Sequence, residues 1–138
     1  MAKEMPSVFT WPVRVYYEDT DAGGIVFYAN YLKFFERART EWLRAAEVAQ
    51  STLLAEDGAI FVVKSAQIDY HAPARLDDVL NLTLSIEKLG RASVIFIQEA
   101  YCGERLLARA RVTVACVDAA SLRPRSLPDA AAAKMRAA

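Results

Sequence analysis

The chain has 138 residues, which fits one domain and leaves no room for a second. Hydrophobic residues make up 54% and charged residues 25%, with 17 Lys plus Arg balanced by 17 Asp plus Glu, so no basic excess points to nucleic acid. No apolar run approaches the ~20 residues that span a bilayer, and the N-terminal residues lack a signal-peptide apolar segment, so the cytoplasm is the expected location.

Residues 1–9 read as an N-terminal extension. Residues 10–17, TWPVRVYY, are rich in β-branched and aromatic side chains, and Pro12 suits an edge or first strand. The Asp- and Gly-dense stretch after them, EDTDAGGIV, predicts a loop. From about residue 30 to 49 the period becomes helical. Tyr31, Phe34, Phe35, Ala38, Trp42, Ala45 and Ala49 form an apolar stripe, and Lys33, Arg37, Thr40, Glu41, Arg44 and Glu47 lie largely opposite. Asn30 is a candidate cap, with a start one turn earlier, near Phe27, as the alternative.

After a short helical or irregular connection over 50–58, four strands are expected at about 60–70, 79–89, 91–101 and 105–117. The third strand of the chain alternates cleanly, with Leu80, Leu82, Leu84 and Ile86 on one face. The last should turn Leu106, Ala108, Ala110, Val112 and Val114 inward. Hairpins are expected at Cys102-Gly103-Glu104 and Lys88-Leu89-Gly90. The tail, 121–138, reads as an appended strand or loop and a frayed helix. Strand, long helix and four further strands together predict an α+β fold, one antiparallel sheet of about five long strands curled around one helix.

His71 is the only histidine, and no CxxC pair is present, so no metal site is expected; Cys102 and Cys116 read as buried free thiols. GxSxG, GxxxxGK, GxGxxG and HExxH are all absent. The remaining chemistry is in Glu18-Asp19-Thr20-Asp21-Ala22-Gly23-Gly24, just before the long helix. A carboxylate there can serve as nucleophile or as general base for water. Unpaired N–H groups at the helix start can hold a developing oxyanion, and the glycines let backbone approach a substrate closely. The same spacing also describes a simple capped turn. A calcium loop fits poorly, because Ile25-Val26-Phe27-Tyr28 offers no further carboxylate.

The run Tyr17 to Tyr31, followed by Phe35-Glu36-Arg37-Ala38-Arg39, resembles the signature of the 4-hydroxybenzoyl-CoA thioesterase family, nearest its YbgC-type acyl-CoA thioesterase branch. The likeness continues through Tyr70-His71-Ala72-Pro73-Ala74-Arg75-Leu76-Asp77-Asp78 and Leu89-Gly90-Arg91-Ala92-Ser93, and covers essentially residues 10–120. It implies a hotdog fold, a homodimer or homotetramer with sites between subunits, and hydrolysis of a small or medium acyl-CoA without a cofactor, CoA arriving as part of the substrate. It also implies Asp21 as nucleophile or base, with Gly24 in its turn and the Tyr28 backbone N–H as oxyanion donor. By the same resemblance Arg91 and Ser93 lie near the CoA phosphates or pantetheine, and Val63 of a partner chain lines the acyl cleft. The branch is associated with the membrane-linked Tol–Pal machinery. Many of its members carry His where this chain has Tyr28; the backbone role survives that change, and the acyl preference does not transfer. Two rivals remain: a hotdog dehydratase, for which no motif sets His71 beside Asp21, and a non-catalytic module that binds acyl-CoA or acyl-carrier protein.

Overall fold

The computed structural model describes residues 8–138, so most of the expected N-terminal extension, residues 1–7, lies outside the described residues. Five strands form one antiparallel sheet: β1 (Phe9–Arg14), β2 (Ala59–Tyr70), β3 (Val79–Leu89), β4 (Ser93–Cys102) and β5 (Arg105–Asp118). Their order across the sheet is β1-β3-β4-β5-β2. The inner face follows from two-residue alternation: Leu80, Leu82 and Leu84 of β3, Val94, Phe96 and Ala100 of β4, and Ala108, Ala110, Val112 and Val114 of β5 are all buried.

Helix α1 (Tyr31–Ala45) lies on that face with Tyr31, Phe34, Phe35, Ala38, Trp42 and Leu43 buried, and Trp42 meets Phe96 edge-on at 5.6 Å. Full burial of each large side chain stabilises the chain by about 1.5–3 kcal/mol. A helix in the concave side of a curled antiparallel sheet is the expected hotdog architecture. Among the described residues no helix is long and apolar enough to cross a membrane.

Several boundaries differ from the sequence expectation. Strand β1 stops at Arg14, and Tyr17–Asp19 forms a 3-10 turn instead of continuing the strand. Helix α1 ends at Ala45, short of Ala49, because Glu47 takes a left-handed φ of 62° and turns the chain so that Val48 returns to the core. Ala45 and Ala49 are therefore exposed, and Leu43 takes their place in the stripe. Asn30 does not cap α1 with its side chain; a 3-10 turn, Tyr28–Asn30, leads into the helix, and the Asn30 amide is used elsewhere.

In β5 a bulge opposite Ala100 and Tyr101 shifts the alternation, so Leu107 is buried beside Ala108 and Leu106 is only half-buried. After the short helix α2 (Gln50–Thr52) the chain makes one wide helical turn, Leu53–Asp57, that closes on Gly58 at a left-handed φ of 62°. The tail is ordered rather than frayed. Helix α3 (Asp129–Ala137) buries Ala131, Ala132 and Met135 against the core, and Lys134 Nζ donates to the Glu47 carbonyl at 3.0 Å.

The two sheet edges differ. Strand β1 is six residues long and carries Pro12, whereas β2 is twelve long and leaves Val62, Val63, Ala66 and Tyr70 exposed. The register also separates two ends of the sheet. Tyr70 pairs with Ala108, Ala108 with Ala100 and Ala100 with Leu82, placing the loop after β1 and the start of β3 at one end. Ser93, Ala115 and the start of β2 lie at the other, about 30 Å away along strands of this length.

Candidate active site

The segment from Tyr16 to Asn30 is pinned by both of its aspartates, in different ways. Asp19 is 5% exposed, and both its oxygens are used. Oδ2 accepts the Tyr16 N–H at 2.8 Å and Oδ1 accepts the Asn30 amide at 2.9 Å, tying the loop to the start of α1. The Phe27 N–H then donates to the Asp19 carbonyl at 3.1 Å, and the Val26 N–H to the Ala74 carbonyl at 2.8 Å. These bonds satisfy buried polar groups and hold the loop against the 70–78 connection.

Asp21 stands on the outer part of the same loop and is exposed. Its backbone N–H donates to the Ile25 carbonyl at 2.9 Å, and the Gly24 N–H returns to the Asp21 carbonyl at 3.1 Å. Its side-chain Oδ1 accepts the Gly23 N–H at 2.9 Å and faces the Ile25 N–H at 3.4 Å. Among the described residues Oδ2 accepts no hydrogen bond, so one oxygen of this exposed side chain is anchored and the other is uncommitted. Gly24 sits at φ 79°, a conformation that L side chains rarely adopt. A Cβ on Gly23 would lie 3.3 Å from Asp21 Oδ1.

Tyr28 opens the 3-10 turn that feeds α1, and among the described residues its N–H finds no acceptor. The Tyr70 hydroxyl donates to the Tyr28 carbonyl at 2.8 Å, fixing the peptide plane that adjoins the one carrying the Tyr28 N–H. Phe27, Tyr28, Tyr31 and Tyr70 form a continuous aromatic wall, with Tyr28 edge-on to Tyr70 at 6.2 Å and Tyr31 to Tyr70 at 5.5 Å. Burial pushes the Tyr31 and Tyr70 phenols above their ordinary pKa, and the neighbouring phenol of the other or of Tyr28 adds to this, so both stay neutral and serve as wall and donor rather than as bases.

A trough runs between α1 and β2. Leu32, Glu36 and Arg39 of the helix face Ala66 and Val63 of the strand, with Val112 as floor, and the trough leads to a cavity of about 140 Å³ that ends at Leu43, Phe61, Phe96 and Met135. Val63, expected to reach the acyl cleft of a partner chain, is 53% exposed and lines both parts of this trough within its own chain.

Of the site residues expected from sequence, Asp21, Gly24 and Tyr28 share one loop, and Val63 lies along the trough. Arg91 and Ser93 lie in the turn at the far end of the sheet, where Arg91 Nε donates to Ser126 Oγ at 2.9 Å and the Gly90 N–H to the Ser93 carbonyl at 2.8 Å. Within one chain they are not brought to Asp21. His71, at the end of β2, is exposed and donates its backbone N–H to Leu107. The structure adds Tyr70, which no local spacing could flag because it meets Tyr28 from 42 residues away. It also adds the buried partnership of Asp19 with Asn30.

Residues 15–135 match the family model described as the thioesterase-like superfamily. The chain belongs to this superfamily. It is 47% identical to the acyl-CoA thioester hydrolase YbgC of Escherichia coli over 131 residues, covering 94% of this chain and 97% of that protein. It is 48% identical to the acyl-CoA thioesterase YbgC of Haemophilus influenzae over 120 residues, 87% of this chain and 88% of that one. Among solved structures, a probable thioesterase from Bartonella henselae superposes with a TM-score of 0.84 at 34% identity, covering 88% of this chain and all of that one. The hotdog fold is thus shared with thioesterase-superfamily relatives across nearly the whole chain.

Proposed function

We propose that this protein is an acyl-CoA thioester hydrolase whose working carboxylate is Asp21. The observation that carries the residue assignment is the split use of that side chain. Backbone amides hold Oδ1 while Oδ2 is left uncommitted on an exposed side chain, seven residues before the open Tyr28 N–H. The superfamily relatives that cover most of the chain support the reaction class.

The thioester carbonyl oxygen accepts the Tyr28 N–H, and negative charge developing there is met by a fixed donor at a helix start. Asp21 then acts in one of two ways. It takes a proton from water, whose oxygen attacks the carbonyl carbon, or it attacks that carbon itself and water later cleaves the resulting anhydride. In both, the C–S bond breaks, the sulfur leaves as thiolate and is protonated to CoA–SH, and one water is consumed to give the free acid. The proposed chemistry uses no metal or organic cofactor.

Subunit pairing completes the site in this reading. The long edge strand β2, which exposes Val62 and Val63 beside polar residues, suits antiparallel pairing with β2 of a second copy, which reverses strand direction across the two-fold axis. That reversal moves a second copy's Val63 and its Arg91–Ser93 turn toward the Asp21 end of the first, where guanidinium and hydroxyl groups can meet CoA phosphate or pantetheine. We therefore propose a single-domain, cytoplasmic homodimer, or a homotetramer built from two such pairs.

Free-thiol release over short, medium, long and aromatic acyl-CoAs, beside Asp21→Asn, tests the reading. Release by the wild type that disappears in the variant supports it. No release from any substrate by folded protein sinks it in favour of a binding role.

A further inference from the structure

The trough between α1 and β2 has an apolar side, Leu32, Val63, Ala66 and Val112, and a charged rim on α1, where Lys33, Glu36 and Arg37 are exposed and Arg39 alone is half-buried. Arg39 projects from α1 where the trough meets the inner cavity and lines both, beside Glu36 and Val63. Its Nη1 donates to Gln98 Oε1 at 3.0 Å, and Gln98, fully buried on the inner face of β4, donates its own amide to the Phe35 carbonyl of α1 at 2.9 Å. That second bond fixes the amide's orientation, so its oxygen has to face Arg39. A buried glutamine is costly unless fully partnered, and this one is partnered so as to hold a guanidinium in place.

The guanidinium has five N–H donors, and among the described residues it makes this single side-chain bond, to a neutral group, and no ion pair. Glu36, one turn earlier, accepts the Thr40 hydroxyl at 2.8 Å instead of closing on Arg39. Burial accordingly lowers the Arg39 pKa from its ordinary value, with Glu36 opposing the shift. A half-buried cation at the mouth of an apolar cavity, braced from behind and open in front, is placed to meet an acceptor that enters the trough.

Resting on the reading of Asp21 and Tyr28 as the reaction centre, we propose that the trough receives the acyl group and that Arg39, braced by Gln98, recognises a hydrogen-bond-accepting oxygen near the far end of that group. The geometry sets the length. Leu32, Glu36 and Arg39 of α1 line the trough, Tyr28 lies in the turn just before the helix, and Tyr28 and Arg39 are separated by roughly 17 Å of rise along the chain. The Arg39 side chain leans back toward the helix N-terminus and shortens that span, so the matching acyl chain is of medium length. The acceptor is a hydroxyl or a carboxylate. A methyl-ended chain of equal length fits the same walls while leaving the guanidinium unpaired.

The test compares kcat/KM for hexanoyl- and decanoyl-CoA with that for their ω-hydroxy and ω-carboxy counterparts, in the wild type, Arg39→Met and Arg39→Lys. The expected result is a preference of about tenfold or more for at least one oxygen-bearing partner at the better-fitting length, falling to near parity in Arg39→Met and partly kept in Arg39→Lys. The hydroxy and carboxy arms distinguish a neutral from an anionic acceptor. Because the readout is a ratio between substrates on one preparation, partial unfolding of a variant does not move it; if Arg39→Met does not fold, Arg39→Lys carries the test through loss of the planar fork. Equal turnover of methyl-ended and oxygen-bearing chains by the wild type overturns the proposal, as does a preference unchanged in both variants. Dissociation of the oligomer in Arg39→Met, measured by sedimentation, also overturns it by assigning Arg39 to a contact between copies. Failure of the wild type to release thiol from any acyl-CoA is a separate outcome. It sinks the assignment of the reaction itself and this inference with it.

Discussion

The segment joining β1 to α1 contains two halves that use the same side chain differently. In the inner half Asp19 is buried, both of its oxygens accept N–H groups, and it ties Tyr16 to Asn30. In the outer half Asp21 is exposed, one oxygen is anchored by the Gly23 amide and the other is uncommitted. A buried carboxylate with both oxygens bonded to its own loop is out of a substrate's reach, and an exposed, half-anchored one is accessible and held in direction. The difference separates a residue that builds the loop from one that works at its surface. The same substitution at both positions should therefore produce opposite phenotypes.

The largest effect is expected for Asp21→Asn in acyl-CoA hydrolysis. The asparagine carbonyl can still accept the Gly23 N–H, so the turn survives and stability should stay within about 0.5 kcal/mol. The amide cannot act as base or nucleophile, and kcat should fall by about 10²- to 10⁴-fold. Steady-state kinetics beside a denaturant titration checks both halves of the statement. Unchanged turnover removes Asp21 from the chemistry.

Asp19→Asn should reverse that pattern. An asparagine there offers one acceptor and one donor, and either the Tyr16 N–H or the Asn30 amide must face an NH₂ group in a buried place. The loss should be about 2 kcal/mol of stability, read as a lower denaturant midpoint with an unchanged slope. A variant as stable as the wild type would dissolve the contrast between the two carboxylates.

Spacing in the sequence marks the Glu18–Gly24 run as unusual but does not distinguish Asp19 from Asp21, because burial is decided by Tyr16 and Asn30 closing on one of them. Resemblance to a family singled out Asp21; charge and periodicity did not. The five strands were legible because Leu80, Leu82 and Leu84, and Ala108, Ala110 and Val112, alternate over long runs. Leu106 and Leu107 were not, since a bulge adds one residue and one-residue shifts exchange the faces. The docking of Met135 was hidden for a similar reason: its helix is alanine-rich and weakly patterned on its own, and only the surface it covers makes it a core element. Tyr70 and the Gln98–Arg39 pair depend on contacts 42 and 59 residues apart, which no local window contains.

The two glycines beneath Asp21 sharpen the same comparison at smaller scale. Gly24→Ala places a Cβ in open space at φ 79°, so its cost is conformational, about 1 kcal/mol of stability. Gly23→Ala meets no such backbone restriction but presses its Cβ against Asp21 Oδ1 at 3.3 Å, and should lower kcat more than it lowers stability. Thermal unfolding and turnover measured on both variants separate the two effects. Equal losses in both quantities would mean that the turn responds as one unit.

The smallest expected effect belongs to Tyr70→Phe. It removes the 2.8 Å hydrogen bond to the Tyr28 carbonyl while leaving the aromatic wall in place. The site is exposed, so water can replace the lost donor, and stability should change by less than about 1 kcal/mol. The Tyr28 carbonyl and the N–H proposed to hold the oxyanion belong to adjoining peptide planes, so loosening one lets the other swing. If Tyr70 orients that donor, kcat falls several-fold while KM for acyl-CoA stays near its wild-type value, because an oxyanion donor acts mainly in the transition state. A rise in KM with kcat unchanged would instead assign Tyr70 to the wall that receives the substrate. The donor would then be held by the loop bonds of Asp19 and Asn30 alone.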